Sequence, residues 1–189
     1  MGTRLQKVTA NRVLLDTNIG WLRQAQLLVE QLNDDSFLCS PKGLAPHRVG
    51  SHLRHVLEFY ECFLDGIQYS LIDYDARRRD ESIERSRHQA AERIGSILRR
   101  LEDDPLVQMD SIVLVRMEDA EAGKPQNLHL TSSVSRELQA LSSHTIHHFA
   151  LIAVTLRALG LEVDPDFGMS PSTLRYQAEM ALASAAEAA

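Results

Sequence analysis

A chain of 189 residues with 44% apolar side chains can bury a substantial core in one domain, 1–189. A formal net charge of -6 and a pI near 5.7 exclude a broad phosphate-binding surface, so no nucleic-acid partner is expected. Cys39 and Cys62 lack CxxC spacing, Met1–Lys7 has no signal-like apolar run, and no ~18-residue apolar stretch occurs; free thiols, a cytoplasmic location and no membrane partner are expected.

Many Leu, Ala, Glu, Arg and Gln residues favour helix over sheet. From about residue 11 to 32, Leu15, Ile19, Leu22, Val29 and Leu32 form one helical stripe, with Gln26 as its polar exception. Asn33-Asp34-Asp35-Ser36 reads as the stop, and turn chemistry over 39–46 leads to a second helix, about 46–67, with Pro46 in its first turn. At about 100° per residue, Arg54, Glu58, Glu61 and Asp65 share one sector, read as the wet face. Leu53, Val56, Tyr60, Phe63, Leu64 and Ile67 fill the opposite arc, with His52, His55, Phe59 and Cys62 on its flank. His55 points away from the charges, where an imidazole is costly unless something bonds it. A backbone carbonyl and a metal both meet that need.

The polar crossover 66–81 is longer than the usual helix-to-helix turn. Its Asp73, Tyr74, Asp75, Arg77, Arg78 and Arg79 either line a substrate pocket, with Arg77 and Tyr74 as the binding candidates, or form a solvated loop. A third helix over about 82–102 carries Ile83, Ala90, Ile94, Ile97 and Leu101 at helical spacing, and Asp103-Asp104-Pro105 breaks it. Segments 111–117 and 127–131, separated by the polar 118–126, read as a small β-hairpin.

Thr131-Ser132-Ser133 caps a fourth helix that runs to Gly160. Within it, Ser142-Ser143-His144-Thr145-Ile146-His147-His148 holds three histidines in five residues. His144 and His148 stand one above the other, about 6 Å apart along the axis, on a face shared with Leu141, Leu151, Ile152, Thr155 and Leu159. Two imidazoles so placed suit a divalent metal, which needs several converging lone pairs. Half-buried, hydrogen-bonded histidines suit the spacing equally well. His147 is turned to the side of that face. Glu137, two turns earlier on it, is either a carboxylate that orients or joins the ligands or an exposed glutamate of the capping turn. Beyond 161–169, Ser170-Pro171 opens a last helix that is expected to fray from Ala181.

Four main helices, one long crossover, an inward His on the second helix and HxxHH on the fourth resemble the DinB/YfiT-like superfamily of metal-binding four-helix bundles. The residues that carry the resemblance are Val49-Gly50-Ser51-His52-Leu53-Arg54-His55 and Ser143-His144-Thr145-Ile146-His147-His148. It covers about residues 10–160 and leaves 161–189 as an appendage. It implies an all-α four-helix bundle with a long crossover, a small β-hairpin before helix four and an extra C-terminal helix. By the same resemblance, His55, His144 and His148 are the ligands of a zinc or nickel ion with open coordination positions. Some relatives are S-transferases using low-molecular-weight thiols, or mycothiol-dependent isomerases, and homodimers are common. Many relatives continue HxxHH with Arg-Gly-Gln; this chain has Phe149-Ala150-Leu151, so no role of that Arg or Gln transfers.

The expected function is a metal-dependent enzyme for a small-molecule substrate. The ion activates a thiol or water for attack on a small electrophile, an S-transferase or hydrolase reaction. His147 or His52 serves as a nearby proton acceptor or orienting group and Arg77 as a substrate anchor, beside the plainer readings of surface polarity for His147 and local bonding for His52. The competing class is a non-catalytic bundle whose ion pins helix two to helix four, which a fourth protein ligand such as Glu137 would mark. A DNA-repair role finds no recognition motif in this acidic chain.

Overall fold

The computed structural model describes residues 2–44, 47–118 and 127–187, with side chains over 10–44, 47–116 and 128–184. It is mostly helical, with a small three-stranded sheet. The first apolar stripe lies on helix α1 (Gly2–Gln31), which starts earlier than the stripe itself. Leu15, Ile19, Leu22 and Val29 are buried along it, together with Trp21 and Ala25. The stop at Asn33 is also a start. Asn33 Oδ1 accepts from Ser36 N at 2.8 Å and caps the short α2 (Asp34–Leu38), whose Phe37 is fully buried.

Helix α3 (Val49–Gly66) buries the expected arc from Leu53 to Leu64; Pro46, expected in its first turn, lies outside the described residues. The charged sector of α3 is exposed only at Asp65. Helices α4 (Glu81–Arg85) and α5 (Arg87–Asp103) pack against α3. Arg54 pairs with Glu84 at 2.7 Å, Glu61 with Arg93 at 2.6 Å and Asp65 with Arg100 at 2.7 Å. Glu58, only 2% exposed, accepts from Asp80 N at 2.6 Å. A charged helix face can meet water or a complementary helix, and the arginines of α5 supply the complement here.

The crossover likewise has structure of its own. It holds a 3-10 turn (Ile67–Tyr69), Ser70 in the left-handed region at φ 55°, strand β1 (Leu71–Asp73) and α4. Ser86 ends α4 and caps α5 by accepting from Gln89 N, so the expected third helix is two. After α6 (Pro105–Gln108), β2 (Ile112–Glu118) and β3 (Asn127–Ser133) pair as the expected antiparallel hairpin; 119–126 lie outside the described residues. β1 joins β2 in parallel, Leu71 opposite Leu114, and gives the sheet order β1-β2-β3. A three-residue strand is too short to leave a periodic signal, which is why the sheet was legible only as a hairpin.

Ser133 Oγ accepts from Arg136 N and opens α7 (Val134–Ala158), which ends before Gly160 at φ +77°. Ser170 Oγ accepts from Thr173 N at 3.2 Å at the start of α8 (Pro171–Glu187). That helix runs on through Glu187 instead of fraying from Ala181, in keeping with the high helix propensity of alanine. α1 packs on α5 and α7, and α3 packs on α5 and α7. No helix among the described residues is long and apolar enough to cross a membrane.

Two glycines with opposite surroundings test this packing. A Cβ on Gly66 would sit 2.7 Å from Ile72 Cα and Leu71 O, where β1 crosses α3, whereas one on Gly20 meets nothing within 4 Å. Gly66→Ala is expected to cost about 1–3 kcal/mol through overpacking, and Gly20→Ala to stabilise by about 0.5–1 kcal/mol through helix propensity. Urea-denaturation midpoints of the two variants check both signs.

Candidate metal centre

The site lies where α3 and α7 run side by side, and a buried polar knot fixes their register. Tyr60 Oη donates to Asn18 Oδ1 at 2.7 Å and lies 3.2 Å from Thr145 Oγ1. Asn18 Nδ2 donates to the carbonyls of Leu14 and Leu138 at 2.8 and 2.9 Å. One side chain each from α1, α3 and α7 thereby meets in the core, and the histidines stand directly beside them: His144 precedes Thr145 and His55 lies five residues before Tyr60.

His55, His144 and His148 each offer one ring nitrogen, and these atoms all lie within 4.8 Å of one another. The closest pair is His55 Nε2 and His144 Nε2, 3.1 Å apart. Ring centroids are 4.9 Å apart for His55 and His144, and 4.6 Å for each of the other two pairs. All three side chains are half-buried rather than core-facing; the fully buried line of α7 is Leu138, Thr145, Phe149 and Ile152. Burial above all, and then the neighbouring positive groups, lowers His55 and His144 to about 4 and His148 to about 3. Near neutral pH these rings are uncharged and keep their lone pairs. His144 Nδ1 is buried with no hydrogen-bond partner among the described residues.

Around this trio the other expected residues fall at different distances. His52, 7% exposed, places Nδ1 3.1 Å from His148 Nδ1, and its Nε2 lies 3.1 Å from Nδ1 of the exposed His47. Tyr74 and Arg77 approach through Phe59. The Phe59 ring is 4.1 Å from that of His144 and 4.8 Å from that of His55; Tyr74 stacks on it at 5.1 Å, and Arg77 Cζ sits 4.7 Å over it. Among the described residues no carboxylate pairs with Arg77 at ion-pair distance.

Glu137 and His147 lie outside the three-histidine group. Glu137 is neither an exposed capping glutamate nor a neighbour of the three nitrogens; it is 6% exposed and accepts from Tyr74 Oη at 2.8 Å and Ser132 Oγ at 2.5 Å. Burial above all, and then this carboxylate, push the Tyr74 phenol upward, so Tyr74 stays a neutral donor. His147 is exposed, with its ring 5.2 Å from that of His148 and outside the converging group. Cys62, half-buried beside the site, has its thiol raised to about 11 by burial, which keeps it protonated.

Two participants carried weak signals in the sequence. Phe59 lies on the same flank of α3 as His55, four residues on, but an aromatic at helical spacing reads as packing. His47 falls inside the helix expected from about residue 46, but α3 begins at Val49 and leaves it before the helix.

The fold and the histidines together define a class: a mostly helical protein with a half-buried imidazole cluster that could hold a metal ion. No family model matches the chain. Over 171 residues it is 29% identical to FK506-binding protein 5 of Rhizopus delemar, a match covering 89% of this chain and 39% of that protein. The chain thus spans about two fifths of the length of the curated relative it matches.

The depressed histidines make stability depend on pH. Their unfolded-state value is the ordinary 6.5 and their folded values are about 4, about 4 and about 3, so between those limits the unfolded chain binds more protons. The stability they contribute is fully present above about pH 6.5 and is lost as pH falls toward about 4. Denaturation midpoints measured across that window are expected to drop for the wild type and to drop less for His55→Gln with His144→Gln. Parallel curves would show that these rings are not desolvated.

Proposed function

We propose that α1, α3, α5 and α7 form a DinB/YfiT-like four-helix bundle and that His55, His144 and His148 hold a divalent ion, zinc or nickel, in a metal-dependent enzyme. The reaction is attack of a low-molecular-weight thiol or water on a small electrophile, of the S-transferase or hydrolase type. The observation that carries this reading is the convergence of three neutral imidazoles from two helices, with no fourth protein donor in the group among the described residues.

The donor set fits such an ion. Metal–nitrogen bonds of about 2.0–2.1 Å at tetrahedral or octahedral angles separate ligand nitrogens by about 2.8–3.4 Å; the 3.1 Å between His55 Nε2 and His144 Nε2 falls in that range, and all three nitrogens lie within 4.8 Å of one another. Three histidine ligands leave a coordination position for a small molecule, whereas a purely structural ion is ordinarily closed by a fourth protein ligand. Glu137, the candidate for that closure, is engaged by Tyr74 and Ser132. When bound, the ion supplies Lewis acidity that lowers the pKa of a thiol or water at neutral pH.

The chain's own residues supply the rest. Phe59 gives the site a flat apolar wall against which an electrophile lies, and Arg77 above it offers a cation for an anionic group. Tyr74 stacks on that wall, its hydroxyl held by Glu137. A cytoplasmic, homodimeric protein acting on a small molecule, without nucleic acid or membrane as partner, completes the proposal. FK506 binding belongs to the relative's name, and the aligned 39% of that protein is too small a share to bring it here.

Elemental analysis of untagged protein followed by cobalt(II) titration tests the site. One ion per chain is expected, with affinity lost by more than about 100-fold in His55→Ala, His144→Ala or His148→Ala and kept in His88→Ala and His129→Ala. Equal loss in all five sinks the assignment. Thiol-dependent turnover of epoxides or chloro-aromatics tests the chemistry. Arg77→Met should raise KM for an anionic electrophile about tenfold at unchanged metal affinity. A loaded protein whose cobalt spectrum no thiol perturbs holds a structural ion instead.

A further inference from the structure

His52 is the buried polar residue of the site that the proposed reaction does not use. Its Nδ1 lies 3.1 Å from His148 Nδ1 and its Nε2 lies 3.1 Å from His47 Nδ1, with the His47 and His52 rings stacked at 5.2 Å and 9°. A neutral imidazole has one N–H and one lone pair. Each close nitrogen pair therefore needs a proton on one side and a lone pair on the other, and the choice made in one ring dictates the choice in the next.

Only two arrangements satisfy all three rings. In one, His148 Nδ1–H donates to His52 Nδ1, His52 Nε2–H donates to His47 Nδ1, and His148 Nε2 is left with the lone pair. In the other, His47 Nδ1–H donates to His52 Nε2, His52 Nδ1–H donates to His148 Nδ1, and His148 Nε2 carries a proton. The first leaves the outer nitrogen of His148 free to ligate and the second blocks it.

We propose that His52, seated on His47, is a positioning residue that locks His148 in the form protonated at Nδ1 and so presents the Nε2 lone pair to the site. The proposal rests on the three-histidine metal site proposed above. His47 is exposed and His52 buried, so the ring that decides how His148 is presented is set from the protein surface through one intermediary. A hydrogen-bonded partner on the far nitrogen fixes a ligating histidine and its orientation, here supplied by an imidazole where a carboxylate or carbonyl is usual.

Two readouts separate this inference from the reading beneath it. Nitrogen-15 NMR of histidine-labelled, metal-free protein reports which His148 nitrogen bears hydrogen. The Nδ1–H form is expected in the wild type, a shift toward Nε2–H in His52→Phe, and a return to Nδ1–H in His52→Asn, whose side-chain oxygen stands near the lost acceptor. Cobalt(II) titration should then show affinity falling about 10–100-fold in His52→Phe, less in His52→Asn and in His47→Ala, at unchanged stoichiometry. His47→Ala, at an exposed position, gives the answer even where His52→Phe does not fold. Wild-type protein that takes up no cobalt removes the metal site; cobalt uptake unaffected in all three variants, or an unchanged His148 tautomer in His52→Phe and His47→Ala, overturns the role of His52.

Discussion

The contact on which the site depends is the meeting of Tyr60, Asn18 and Thr145 in the core. Leaving a buried polar group unsatisfied costs about 1–3 kcal/mol, so sliding α3 along α7 by one residue would break several such bonds at once. Apolar packing alone tolerates repacking at lower cost. The knot therefore specifies the relative height of the two helices, and with it the 3.1 Å approach of His55 to His144. Hydrophobic burial holds the helices together; these few polar atoms decide where along their length they stop.

On the other side of α3 a different force sets its rotation. Four charged side chains that a helical wheel assigns to water are engaged by α4 and α5, through Arg54–Glu84, Glu61–Arg93, Asp65–Arg100 and the bond from Asp80 N to Glu58. Exposed ion pairs contribute little each, but a row of them penalises turning α3 about its axis. The flank bearing His52, His55 and Phe59 is thereby presented to α7 and to the crossover. Height from the polar knot and rotation from the charged seam together aim the imidazoles.

The long amphipathic segments and both histidine motifs were readable because helical periodicity and i,i+4 spacing are properties of the chain itself. His144 and His148 needed only the helix; the wheel put His52 and His55 on one flank, and the choice between them came from the resemblance. What could not be read was relational. Whether Glu58 meets water or Asp80 depends on a helix twenty residues away, and β1 is three residues that gain their meaning only beside Leu114. Glu137 could be placed on the histidine face of its helix, but its partner Tyr74 could not, because the position of Tyr74 follows from the folded crossover. His47 was expected in the first turn of the second helix, five residues from His52 and so on another side of it; because α3 begins only at Val49, the two rings can stack.

Phe149 follows His148 directly and is held by the segment that leads into α8. Its ring is fully buried, meets Trp21 edge-on at 6.4 Å and stacks on Phe167 at 4.8 Å, while the absent side chain of Gly168 lets the following segment lie against its Cβ. The foot of α8 is thus clamped to the residue immediately after His148, although most of α8 extends with exposed side chains. The covalent neighbour of His148 is thereby the point at which that outlying helix meets the core.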